Sequence, residues 1–224
     1  HQTIHLMKPS HVIYTLALSI LFISCNEEDP GPRQQDSRTY SLVDFDRVDL
    51  TNGNRQLIAL QSTLGQAKID VLKRRLLDIN PNLHIDLYPI FYETEDQLSF
   101  EGLDYVVDAI DSVPSKLSLM RVCEQLHIPL IMALGTGRKL DPSQLKLSTL
   151  YKTDVCPLAK KVRNLAKQAQ LKDVSVVYST EVSLAATLDE ENQKIINGSM
   201  IFVPASAGLL MASKVVKDLI QSTL

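Results

Sequence analysis

Apolar and polar positions along the chain switch repeatedly between two periods. Residues 40–45 are a short apolar, β-prone run ending in acids, and residues 84–91 alternate, so both predict strands. Between them, residues 68–79 carry Ile69, Leu72, Leu76 and Ile79 on one helical face, with Lys73, Arg74 and Arg75 mostly elsewhere, which predicts a bridging helix. Residues 105–110 and 128–134 are continuous apolar runs of the kind buried on both faces of a parallel sheet. Residues 115–127 read as the helix between them, with Leu117, Met120 and Leu126 toward the core. After Gly135-Thr136-Gly137 the pattern predicts a strand at 144–149, a helix from 158 to about 169, a strand at 174–179 and a helix from about 205 to 220. This alternation predicts an α/β fold: a Rossmann-like, doubly wound, mostly parallel sheet with a C-terminal strand and helix extension.

The first 39 residues follow another pattern. Residues 7–25 have a short basic start and an apolar stretch at 12–23, which is signal-peptide anatomy. The stretch is short for a spanning helix and ends at Cys25, before the polar run Asn26-Glu27-Glu28-Asp29-Pro30-Gly31-Pro32. It resembles a bacterial lipoprotein leader with a lipid-acceptor cysteine. Residues 26–40 have a linker's composition. The expected organisation is therefore a leader and linker at 1–39, outside the fold, and one domain at 40–224. The other reading makes residues 13–24 a buried strand or helix of that domain.

At 224 residues, 45% hydrophobic and 22% charged, the chain is long enough for one substantial core and is neither disordered nor wholly membrane-embedded. A net charge of -3 excludes a uniformly basic nucleic-acid binder, so any contact with RNA phosphates must be local. Cys25, Cys123 and Cys156 are far apart, which excludes a four-cysteine zinc site and disfavours a disulfide framework.

In a doubly wound sheet, ligands sit at the carboxyl ends of the strands. Asp44, Asp46 and Asp111 stand at such ends, where an acid can accept hydrogen bonds from ribose hydroxyls or hold a magnesium ion against phosphates. Thr51-Asn52-Gly53-Asn54-Arg55-Gln56 crowds amides and a guanidinium into a short loop, with Lys68 close behind Gly65. Those cations would neutralise a triphosphate and the charge on departing pyrophosphate. The competing readings are strand-end carboxylates that cap helices, and a surface pair for Arg55 and Lys68.

Four segments in order, Leu42-Val43-Asp44-Phe45-Asp46, Thr51-Asn52-x-Asn54-Arg55-Gln56, Gly65-Gln66-x-Lys68 and Asp108-Ala109-Ile110-Asp111-Ser112, resemble the ThiF/MoeB/ubiquitin-activating superfamily of adenylating enzymes. Gly135-x-Gly137, Asp141-Pro142-Ser143-Gln144, Pro157-Leu158-Ala159 and Val177-Tyr178-Ser179-Thr180-Glu181 are most similar to its tRNA threonylcarbamoyladenosine dehydratase branch. The resemblance covers residues 40–224. It implies ATP and Mg2+ as cofactors and adenylation of a threonylcarbamoyl carboxylate on tRNA, followed by ring closure. Asp44 would bind ribose; Asn52, Arg55 and Lys68 the phosphates, with Gln56 a weaker candidate; and Asp111 the metal. Arg55 and Asp111 are the candidate catalytic residues. The implied partners are modified tRNA, a second copy of the chain and a sulfur-relay protein, with no DNA. The implied location is the cytoplasm, against a membrane-anchored lipoprotein through Cys25.

The resemblance also implies an initial strand and a Gly-x-Gly-x-x-Gly turn roughly 20 to 25 residues before the ribose acid. Residues 1–40 hold one glycine, Gly31. The expectation is a domain truncated at its N-terminus, lacking its central strand and weak in ATP binding. Two alternative functions remain: adenylation of the C-terminus of a ubiquitin-like or sulfur-carrier protein, which the lack of paired cysteines disfavours, and a lipid-anchored, non-catalytic binding protein. Cys123 reads as core, and Cys156 as a loop thiol before Pro157; neither is assigned a role. Lys160, Lys161, Arg163 and Lys167 cluster on one helix, either toward tRNA phosphates or as a solvated face.

Overall fold

The computed structural model describes residues 20–24, 39–185, 187–189, 194–196 and 198–222. In chain order the main strands are β1 (Ile20–Ser24), β2 (Thr39–Val43), β3 (His84–Tyr88), β4 (Tyr105–Asp108), β5 (Leu130–Leu134), β6 (Leu145–Thr149) and β7 (Ser175–Ser179). They form one sheet in the order β3-β2-β1-β4-β5-β7-β6. β2 pairs parallel with β3, and β5 parallel with both β4 and β7, whereas β1 and β6 run against their neighbours.

Four helices cover the sheet: α1 (Lys68–Ile79), α2 (Val113–Leu126), α3 (Pro157–Gln168) and α4 (Phe202–Ser222). Because side chains of a strand alternate between faces, adjacent strand residues feed different cores. Val106, Met132 and Val176 join Leu119 and Met120 of α2 and Val162 and Ala166 of α3. Val107, Ile131 and Val177 join Ile69, Leu72 and Leu76 of α1 and Ala207, Met211 and Val215 of α4. The sheet is thus buried on both faces, which is why its strands read as unbroken apolar runs.

Local chemistry sets the helix ends. Ser112 caps α2 by accepting from the Ser115 N–H at 3.4 Å, Pro114 follows in the first turn, and His127 ends the helix in the left-handed region at φ 58°. Leu126, expected toward the core, is 44% exposed, and Ile79, at the end of the apolar face of α1, is 58% exposed. Both stand in the last turn of their helices, where the periodicity continues after the packing partner has ended. A short antiparallel pair, β8 (Thr187–Asp189) with β9 (Lys194–Ile196), has no counterpart in the sequence-derived elements.

The largest difference lies at the N-terminus. Sequence patterning leaves the central sheet position empty and sets residues 1–39 outside the fold; in the structure β1 occupies that position. Leu21 stands opposite both Leu42 of β2 and Val107 of β4. Two flanking strands offer unpaired backbone groups, and an extended apolar segment satisfies them in either direction. The start of the signal-like stretch, Cys25 and the polar run at 25–38 lie outside the described residues.

Candidate functional site

The carboxyl ends of β2 and β4 flank β1, and the loops that leave them carry the polar residues singled out above. After β2, Asp44 is buried and its Oδ1 accepts the Asp46 N–H at 2.8 Å, which turns the chain away from the sheet. Asp46 in turn accepts from Lys68 Nζ at 2.7 Å, and its carbonyl accepts the Lys68 N–H at 3.0 Å. Lys68 is only 3% exposed, which excludes the surface-pair reading for it.

The loop between them is held by its own side chains. Asp49 accepts from the Thr51 N–H at 2.8 Å and the Thr51 hydroxyl at 2.7 Å, and Asn52 Oδ1 accepts the Asp49 N–H at 3.1 Å. The two bonds from Thr51 lower the Asp49 pKa, with the Thr51 hydroxyl the largest cause. Arg55 donates to the Thr51 carbonyl at 2.7 Å, and Asn54 Nδ2 reaches the Ser199 carbonyl at 2.7 Å. Gly65, at φ 76°, accommodates the turn back to Val48, to whose carbonyl it donates at 2.8 Å.

After β4, Asp108 and Lys116 form an ion pair at 2.7 Å, and both side chains are fully buried. Asp108 Oδ1 accepts the Ile110 N–H at 2.8 Å, and this fixes the loop that presents Asp111. Surrounding protein raises the Asp111 pKa, opposed by the charges of Lys116, Arg55 and Lys68.

Asp44, Asn52, Arg55, Gln56, Lys68 and Asp111 all line one cavity of about 270 Å³. Phe45 and Phe91 also line it, edge to face with ring centroids 5.0 Å apart. Phe91 carries no local sequence signal of a site, and in Leu42-Val43-Asp44-Phe45-Asp46 the sequence points to the acids rather than to Phe45. A second cavity, about 540 Å³, shares Arg55, Gln56, Ile110 and Asp111 with the first and extends to Gly135, Arg138, Cys156 and α4. Cys156 is 2% exposed rather than a loop thiol: it caps α3, and a Cβ at Gly135 would come within 2.2 Å of its sulfur. Lys139 is equally hidden and donates to the Ser179 carbonyl at 3.0 Å; burial lowers its pKa.

A cavity lined by three carboxylates, one of them paired with the ammonium, together with a guanidinium and two amides at strand carboxyl ends, fits an anionic nucleotide. The profile of the ThiF family matches residues 38–223. The chain belongs to the ThiF family. It is 41% identical over 194 residues to tRNA threonylcarbamoyladenosine dehydratase of Bacillus subtilis (strain 168), covering 80% of this chain and 76% of that one. The Escherichia coli (strain K12) protein of the same name is 34% identical over 176 residues, covering 78% of this chain and 62% of its own length. The crystal structure of the E. coli enzyme, TcdA, in complex with AMP superposes with a TM-score of 0.73 at 34% identity, over 82% of this chain and 76% of the other. Its complex with ATP gives 0.72 at 33% identity, with the same coverage. The mixed α/β sheet of this ThiF-family chain is thus that of its relatives. Among the described residues, no helix is long and apolar enough to cross a membrane, and no cluster of three or more His, Cys, Asp or Glu could hold a metal.

Proposed function

We propose that this chain is an ATP-dependent tRNA threonylcarbamoyladenosine dehydratase, with residues 40–224 as its adenylating domain. The observation that carries this reading is the gathering of Asp44, Asn52, Arg55, Gln56, Lys68 and Asp111 around one cavity. The likeness to the B. subtilis and E. coli enzymes supports the choice of substrate.

In this reading Asp44 accepts from the ribose hydroxyls, and Asn52, Arg55 and Lys68 hold the phosphates. Asp111 supplies one carboxylate to Mg2+; such ions commonly take one or two protein carboxylates plus phosphate oxygens and water, so a single acid suffices. Arg55 neutralises charge as pyrophosphate departs. Adenylation turns a poor leaving oxygen of the threonylcarbamoyl carboxylate into a good one, and the ring then closes within one molecule with release of AMP. ATP and tRNA together favour a cytoplasmic location. Phe202, Leu209 and Ile220, exposed along one stripe of α4, favour a homodimer. Cys123 and Cys156 are both buried, which gives a sulfur-relay partner no support.

The test is to incubate the full chain with ATP, Mg2+ and tRNA bearing threonylcarbamoyladenosine, following AMP release and the mass of the modified nucleoside. Loss of one water from the nucleoside, dependent on ATP, is expected. AMP formation that requires a carrier-protein C-terminus instead of tRNA would overturn the reading.

A further inference from the structure

Gln56 is 4% exposed, and neither Nε2 nor Oε1 of its side chain has a hydrogen-bond partner. Buried amides are nearly always paired, so an orphaned one marks the place of a missing partner. Gln56 stands on the wall between the two cavities, along with Arg55, Ile110 and Asp111. A carboxylate can be adenylated only if its oxygen reaches the phosphorus of the nucleotide, so the two substrates must meet at a common wall. The smaller cavity has a nucleotide's complement of charges, which leaves the larger one for the other reactant.

The larger cavity suits a base with a polar arm. Val107, Ala133 and Met211 give it an apolar surface, whereas Arg138 lines it with a guanidinium that has no hydrogen bond or ion pair among the described residues. The arm of threonylcarbamoyladenosine contains a ureido group, with N–H donors and a carbonyl acceptor, and a carboxylate. A primary amide offers the matching acceptor and donors.

We propose that the larger cavity is the acceptor site, holding the modified adenine base and its arm, with Gln56 pairing to the ureido group and Arg138 drawing in the carboxylate. This rests on the function proposed above. The arm then passes along the shared wall toward Arg55 and Asp111. Gln56 is a specificity residue here: it recognises the arm rather than the adenine ring, which both reactants contain.

The experiment is calorimetric titration of the full chain with the free nucleoside threonylcarbamoyladenosine, with adenosine as control and ATP omitted. The modified nucleoside is expected to bind at least tenfold more tightly than adenosine, and AMP is expected not to displace it. Gly137→Phe places a ring in the larger cavity only, at a position where an added Cβ meets nothing within 4 Å. It is expected to weaken nucleoside binding at least tenfold with an unchanged melting temperature, and Gln56→Leu to erase the preference over adenosine. Unaltered binding by Gly137→Phe, displacement by AMP, or no binding of the modified nucleoside would each overturn the acceptor site. Nucleoside binding without any ATP-dependent dehydration would leave the site standing and remove the proposed function instead.

Discussion

Lys116 donates from Nζ to Asp108 Oδ2 at 2.7 Å and to the Ala133 carbonyl at 3.0 Å, with its side chain fully buried. One ammonium thus joins α2, β5 and the end of β4. Removing one partner of a buried pair strands the other charge, at a cost of about 3–5 kcal/mol, whereas replacing both with neutral groups costs much less. Lys116→Met is expected to lose about that much stability in urea denaturation, and Asp108→Asn/Lys116→Met to recover most of it. A single variant within about 1 kcal/mol of the parent would show that the pair is dispensable.

Lys68 is the best-defined cation of the smaller cavity because Asp46 and burial leave it little freedom. Lys68→Met is expected to weaken ATP binding about tenfold, close to 1.4 kcal/mol. Fluorescence titration with a labelled ATP analogue reads this directly. Equal affinity in variant and parent would remove Lys68 from the phosphate contacts.

Burial, with a smaller contribution from the Asp108 charge, pushes the Cys123 thiol up to about 12. In the unfolded chain a thiol ionises near pH 8.5. Above that pH the native state holds a proton that the unfolded state has released, so this group's share of stability falls as pH rises, by at most about 1.4 kcal/mol per unit, until the native thiol also ionises. Cys123→Ala is expected to flatten the decline in stability between about pH 9 and 11. Alkylation of the native protein at pH 8 followed by peptide mass spectrometry should leave Cys123 unmodified; rapid labelling there would contradict its burial.

Pairing of β1 on both sides makes a specific demand. Phe22 is in register with Ser41 and with Val106, so a proline at 22 removes an N–H from the middle of the sheet. Phe22→Pro is expected to lower stability by about 3 kcal/mol or more. An unchanged melting temperature would return residues 1–39 to a place outside the fold.

What could be foreseen from sequence divides along physical lines. The bounds of α1 follow from Ile69, Leu72 and Leu76 alone, since one amphipathic stripe defines a helix without reference to its partner. Asp44 and Asp111 were legible because an acid directly after an apolar strand has a place in the fold before any coordinates exist. The run at 20–24 was not, because a short unbroken apolar stretch has no period that separates a leader from a central strand. Arg138 and the orphaned Gln56 amide gain their meaning from elements remote in sequence. Burial of Cys156 likewise depends on Gly135, whose missing side chain leaves room for the sulfur.

The reversed direction of β1 has little influence on the geometry above it. Neighbouring strands lie about 4.8 Å apart whichever way they run, so one intervening strand separates β2 from β4 by roughly 10 Å. Asp44 and Asp111 leave those two strands at the same end of the sheet. β1 therefore works as a spacer gauge for the groove between β2 and β4: its backbone sets the groove's width whichever way the strand runs.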